Sequence, residues 1–240
     1  MNSAKWHKFV ILKGEKKLLP YLPETCKLTY ATLWRTLECY QQVIIKPDNG
    51  SFGYNIIQLS LKDNDNYEIH HENKKITICG RDLTYSYLKK KHFVTRFIIQ
   101  QRIPLIQIDG CPFDFRVMVQ RKTNCNNWVV TGKITRLARK GFIITNVVQK
   151  LMTVDTALQN SSFKKRNLQE LLSEIDRVAL ITAKRLEANY PLCRMIGLDI
   201  GIDHKGKVWI IEANLRPAFS IFKLLEDKTM YHRIKSFKIN

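Results

Sequence analysis

The run Gly197–Asn214, GLDIGIDHKGKVWIIEAN, constrains this chain more than any other stretch, because it reads as one β-hairpin carrying three oxygen donors. The flanking segments MIGLDIGI and KVWIIEA are rich in Ile, Leu, Val and Trp, and His204-Lys205-Gly206 supplies the break between them. With an even-length connection of about two or four residues, Asp199 falls opposite Glu212. Asn214, two positions on, shares the face of Glu212. Two carboxylates held that close repel one another unless one is protonated or a cation lies between them. All-oxygen ligation favours a hard ion such as Mg²⁺, with Mn²⁺ an alternative. An ordinary antiparallel sheet also alternates polar and apolar residues, so the hairpin alone does not establish a metal site.

A second segment points the same way. Residues 43–53, VIIKPDNGSFG, deliver Lys46 at the end of an apolar strand and run directly into a loop with two glycines and a serine. Such a loop lets backbone N–H groups approach phosphate oxygens, and the lysine adds a point charge. It is not a Walker A sequence, since the lysine precedes the glycines. The following YNIIQLSL reads as a second strand, so the loop closes between two antiparallel strands.

A lysine ahead of a glycine-rich turn, followed by a distant Asp…Glu-x-Asn hairpin, is the pattern of ATP-grasp enzymes. LPET at 22–25, VIIKPDNGSFG, FIIQQRIPLI at 97–106, PFDFRVMVQ at 112–120, WVVTGKITRLA at 128–138 and the final hairpin, in that order and spacing, resemble the endospore coat-associated YheC/YheD family of ATP-grasp proteins. The resemblance runs from about Lys5 to about Phe222. It implies an α+β, ATP-grasp fold: a single ATP-grasp domain over 1–240 whose two α+β subdomains grip ATP between them. The glycine-loop subdomain would span about 25–100 and the metal-binding subdomain about 101–225. The N-terminal pre-ATP-grasp domain usual in the ligases would be lacking.

Roles follow from the same resemblance. Lys46 would hold the α- or β-phosphate, with Lys5 a second phosphate lysine and Lys8 its rival. Gly50, Ser51 and Gly53 would cover the phosphates. The segment from Gln100 to Ile103 would read adenine through its backbone, with Gln100 or Gln101 as a side-chain partner. Arg116 and Arg136 match the phosphate and transition-state arginines of RimK-type glutamate ligases, and a guanidinium fork suits a transferring phosphoryl group. Asp114 would orient Arg116 or contact the ribose, and Asn146 occupies the family's Thr-Asn position. Asp199, Glu212 and Asn214 would bind the metal. Two departures stand out, the first bearing on substrate or phosphate handling and the second on the acceptor side. Val147-Val148-Gln149-Lys150 stands where relatives carry paired glycines, and Ala218 stands where they carry a glycine after Asn-x-x-Pro.

Forty Lys and Arg against twenty-one Asp and Glu give a net charge of +19, which attracts polyanions. The basic residues come in short clusters without a zinc finger, RNP motif or basic heptad. Nucleic acid is therefore a less favoured partner than a nucleotide triphosphate. No apolar run reaches the roughly 20 residues of a membrane span, no signal peptide is evident, and the six cysteines show no metal spacing and read as reduced thiols. A cytoplasmic, spore-associated protein is expected. Thr29 should cap a helix over about 29–40, RDLTYSYLKKK a basic helix, and the stripe from Leu168 to Leu186 a long helix packed on the core.

These features lead to an ATP- and Mg²⁺-dependent carboxylate–amine ligase working through an acyl phosphate, with unknown carboxylate and amine substrates. The alternatives are a nucleotide-binding structural protein among spore-coat proteins, without turnover, and a basic nucleic-acid-binding protein.

Overall fold

A computed structural model describes residues 4–50, 53–93, 95–123, 125–161, 163 and 167–237. Helix α1 (Lys5–Lys13) and a short 3-10 turn (Lys16–Tyr21) precede two antiparallel sheets. The first is built from β1 (Thr25–Lys27), β2 (Gln42–Pro47), β3 (Ile57–Leu61), β4 (Asn66–His71), β5 (Lys74–Cys79) and β6 (Phe97–Gln101), ordered β1-β6-β2-β3-β4-β5. Helices α2 (Tyr30–Tyr40) and α3 (Arg81–Lys91) complete this layer. Thr29 caps α2 in a reciprocal capping box with Thr32. Leu33, Trp34 and Leu37 of α2 and Leu88 of α3 share a core with Val43, Ile45, Ile57, Leu59 and Ile99.

In the second sheet the order is β10-β9-β8-β11-β12, from β8 (Cys111–Gln120), β9 (Val129–Ala138), β10 (Val148–Met152), β11 (Met195–Ile202) and β12 (Val208–Asn214), with β7 (Gln107–Ile108) pairing on β8. The faces separate by parity along each strand. Phe113, Phe115, Val117, Ile196, Leu198 and Ile200 join Leu171, Ile175, Val178 and Ala183 of the amphipathic helix α5 (Leu168–Glu187) in the largest core. Leu172, part of the expected stripe, is only half-buried at its margin. On the opposite face Met118 and Ile134 pack with Phe222 and with Ile234 of α6 (Thr229–Ser236). Gly132 makes that approach feasible, since a Cβ there would lie 2.9 Å from Ile234 Cδ1. Helix α4 (Val154–Asn160) follows β10.

Several elements differ from the sequence expectation. Helix α1 lacks a local capping side chain, and its first N–H groups are satisfied from the loop after β2: Lys5 N donates to Asp48 O at 2.9 Å and Trp6 N to Asp48 Oδ1 at 2.8 Å. After β12 the chain forms a 3-10 turn, Ser220–Leu224, and α6 begins at Thr229. The hairpin connection is odd rather than even. Ile202 pairs with Val208, and a bulge between Asp199 and Ile200 restores the Asp199–Glu212 pairing by leaving Ile211 as the extra residue. Without that bulge Glu212 would keep the parity of Val208 and Ile210 and face the core.

No helix among the described residues is long and apolar enough to cross a membrane. All six cysteines are free thiols.

Candidate functional site

Cross-strand pairing on one face of the second sheet brings the charged residues together. Asp114 lies opposite Arg136, Arg116 opposite Asp199, and Asp199 opposite Glu212. Their neighbours on the same strands point into the α5 core, so no other parity is compatible with burying those side chains.

The guanidiniums are tightly held. Arg136 grips Asp114 with Nε–Oδ1 at 2.8 Å and Nη2–Oδ2 at 2.5 Å, reaches Asp199 Oδ1 at 3.1 Å, and donates to Asn146 Oδ1 at 3.0 Å. Arg116 Nε donates to the same Asp199 oxygen at 2.6 Å. Thr145 Oγ1 donates to Asp114 Oδ2 at 2.7 Å. Asp114 thus orients Arg136 rather than Arg116, and both of its oxygens are committed within the protein. Burial opposes the charge on Asp199, yet Arg136 and Arg116 hold its carboxyl below the usual range. Burial likewise works against Arg136, but Asp114 and Asp199 more than offset it and raise its pKa.

The first sheet contributes Lys46, buried at the end of β2. Its Nζ donates to Gln100 Oε1 at 2.8 Å and to the carbonyl of the bulged residue Ile211 at 3.4 Å. Gln100 Nε2 donates to Thr25 Oγ1 at 2.9 Å, and Thr25 Oγ1 to Pro23 O at 2.9 Å. The chain of bonds ties β1, β6, β2 and β12 together and gives Thr25 of LPET a structural purpose. Burial lowers the Lys46 ammonium to about 8, with Glu212 opposing the shift and Lys5 adding to it.

Helix α1 presents Lys5 and Lys8 one turn apart. Lys5 Nζ donates to Gly50 O at 2.9 Å and sits 3.7 Å from Glu212 Oε1. Lys8 is buried deeper, in a small space it shares with Lys5, Lys46, Gln100 and Glu212, and burial lowers its pKa.

These side chains converge on a cleft of about 330 Å³ between the sheets, lined by Lys5, Lys46, Gly50, Gly53, Arg116, Arg136, Asn146, Asp199, Glu212, Asn214 and Arg216 among others. A narrower space of about 100 Å³ adjoins it, with Ile44, Ile56, Ile103, Ile144 and Ile211 as walls and Gln100, Arg102 and Asp114 as polar points. An apolar slot beside a cationic cleft can take a flat base and a polyphosphate. Gly53, at φ +73°, lies so close to Asn146 that a Cβ would meet its Nδ2 at 2.8 Å.

Of the residues singled out from the sequence, Gln101 lines neither space, and its Oε1 accepts from Glu24 N at 3.4 Å instead. Ser51 lies outside the described residues. Sequence reasoning gave no role to Thr25, Thr145, Arg216 or the Ile211 carbonyl, and took Arg102 only as backbone within the Gln100–Ile103 segment. Thr25, in LPET, and Thr145, in the Thr-Asn pair, each lay in a motif that the sequence displays.

Among the described residues no group of three or more His, Cys, Asp or Glu side chains could hold a metal. The three oxygen donors expected from the sequence, the carboxylates of Asp199 and Glu212 and the amide of Asn214, all line the cleft. Hard oxygen donors of this kind fit Mg²⁺, which takes few ligands from the protein.

A family model described as YheC/D like ATP-grasp matches residues 2–239. The endospore coat-associated protein YheD of Bacillus subtilis (strain 168) is 32% identical over 226 residues, which is 91% of this chain and 49% of that protein. The chain therefore spans about half the length of that curated relative. Among solved structures, the ADP complex of N5-carboxyaminoimidazole ribonucleotide synthetase superimposes with a TM-score of 0.56 at 13% identity, over 98% of this chain and 51% of that one. D-cycloserine synthetase DcsG gives 0.57 at 12% identity, over 98% and 69%.

Proposed function

This chain belongs to the YheC/D-like ATP-grasp family and has the ATP-grasp fold, and from that premise we propose that it is an ATP- and Mg²⁺-dependent carboxylate–amine ligase. The two sheet layers are the two gripping subdomains, and the base of ATP lies in the Ile-lined slot beside residues 100–103. The observation that carries the reading is the convergence, around one cleft, of Lys5, Lys46, Arg116 and Arg136 with the wall formed by Asp199, Glu212 and Asn214.

Lys46 and Lys5 hold phosphate oxygens, while the backbone at Gly50 and Gly53 lets the loop approach them without Cβ interference. Arg136, oriented by Asp114 and Asn146, and Arg116 spread the charge of the transferring phosphoryl group. Glu212, Asn214 and Asp199 would hold Mg²⁺, which would supply positive charge against that of the phosphates. In the reaction a carboxylate oxygen bonds to the γ-phosphorus as its bond to the β,γ-bridging oxygen breaks, releasing ADP. An amine then attacks the acyl carbon, loses a proton, and phosphate leaves. The chain needs to supply no covalent nucleophile. Spore-coat proteins as partners are carried from the name of the relative, and a cytoplasmic setting from the sequence reading; both belong to the same proposal.

A second reading, a nucleotide-binding protein without turnover, is favoured by one feature: Val147 and Val148 stand where the family's paired glycines would be. Calorimetric titration with ATP, with and without Mg²⁺, tests binding; phosphate release with candidate substrates separates the two readings. Magnesium-dependent binding that Lys46→Ala abolishes and Glu212→Gln weakens is the expected result. Mg-ATP binding by Glu212→Gln equal to that of the parent would refute the metal assignment.

A further inference from the structure

The cleft does not end at its phosphate side. Beyond Asn214 the chain turns through Arg216 and Pro217, and both residues also line a second groove of about 460 Å³ at the end of the sheet where Gln120 pairs with Met195. Leu192, Met195, Phe219 and Phe237 give this groove apolar walls, and Arg194 and Arg216 give it positive charge. Among the described residues no Asp or Glu lines it.

The junction is built rigidly. Pro217 is buried against Gly197, where a Cβ would come within 2.5 Å of Pro217 Cβ and 3.4 Å of Arg116 Cδ. Arg216, the exposed residue just before it, lines both the cleft and the groove. Phe219 is fixed by stacking on Tyr231 at 5.9 Å, and Lys122 Nζ lies 5.7 Å from the Phe237 ring centre. Leu192, 84% exposed, is the outermost apolar side chain of the groove.

We propose that this groove is the substrate channel, and that it takes an extended peptide whose carboxylate Arg216 presents to the phosphate end of the cleft. The inference rests on the ligase reading above and names its substrate class. A guanidinium fork matches a carboxylate in two parallel hydrogen bonds. At about 460 Å³ the groove has room for more than one side chain, and apolar walls with two arginines do not favour the ammonium of a free amino acid. A peptide with apolar residues near an acidic end satisfies the walls and the charge together. Its carboxylate would supply the oxygen that bonds to the γ-phosphorus as ADP leaves.

The probe is the acetylated tetrapeptide Ac-Phe-Leu-Gly-Glu, compared with its fully amidated form and with free glutamate. Binding is measured by calorimetry in the presence of Mg²⁺ and a non-hydrolysable ATP analogue. The acid should bind at least about tenfold more tightly than the amidated peptide or glutamate. Arg216→Met should erase the preference for acid over amide. Leu192→Asp, outside the nucleotide cleft and exposed enough to spare the fold, should weaken the peptide about tenfold and leave nucleotide affinity unchanged. Equal binding of acid and amide, or indifference to Leu192→Asp, with nucleotide binding intact, would overturn the channel and leave the ligase reading standing. Tighter binding of glutamate than of the peptide would overturn the peptide class. Groove-dependent peptide binding without any nucleotide binding would overturn the ligase reading and the channel's catalytic role, leaving a peptide site.

Discussion

Lys46 concentrates the electrostatics of the cleft. An ammonium that titrates near 8 when buried, against 10.5 in the open chain, binds fewer protons folded than unfolded between those values, so its contribution to stability rises with pH across that window. Polyphosphate beside it restores the charged form. ATP binding at pH 8 is therefore expected to take up about half a proton per site, read as the dependence of the calorimetric heat on buffer ionisation enthalpy. Lys46→Met should abolish the uptake. Asp114 is a different case, since it is 1% exposed and bound on both oxygens. Removing its charge strands the Arg136 guanidinium, and Asp114→Asn should cost about 3–5 kcal/mol in urea denaturation. A loss below 1 kcal/mol would mean that the Asp114–Arg136 pair does not organise the site.

At the scale of elements, two joints set the geometry. One is the bulge at Ile211, which turns Glu212 toward the cleft and leaves a carbonyl for Lys46. Hairpin residues and their alternation were readable from the sequence, but the odd loop and its compensating bulge were not. Register is chosen by burial on the α5 side, and that choice is made across strands, not within one. The other joint is the cap of α1 by Asp48. A pattern search for a helix start looks to the residues just before it, and here the accepting group comes from the loop after β2. Asp48→Ala should therefore lower stability by about 0.5–2 kcal/mol and weaken ATP binding through misplacement of Lys5. Unchanged nucleotide affinity would show that α1 is not positioned by this cap.

For the molecule as a whole, the cleft lies between two cores that share few covalent neighbours. Hydrogen bonds from Lys46 on β2 to Ile211 O on β12, and from Lys5 of α1 to Gly50 in the loop after β2, cross it. A ligand held by both layers stabilises their mutual arrangement, so Mg-ATP at about 100 times its dissociation constant should stabilise the fold by about 2.7 kcal/mol. For a chain of this size that corresponds to a rise of about 5–10 °C in Tm, which Lys46→Ala should remove. A rise produced equally by single-stranded DNA, and lost in moderate salt, would point instead to the +19 net charge as the source. What the sequence determined by itself is local in origin: the parity of the strands, the capping box at Thr29, the long stripe of α5 and the order of motifs that marks the family. Only the tertiary structure decided that Asp114 serves Arg136, that Gln100 rather than Gln101 faces Lys46, and that Arg216 joins cleft to groove. Those are pairings between side chains distant in sequence, and they are settled by which faces must be buried when the sheets pack, a condition no single segment carries.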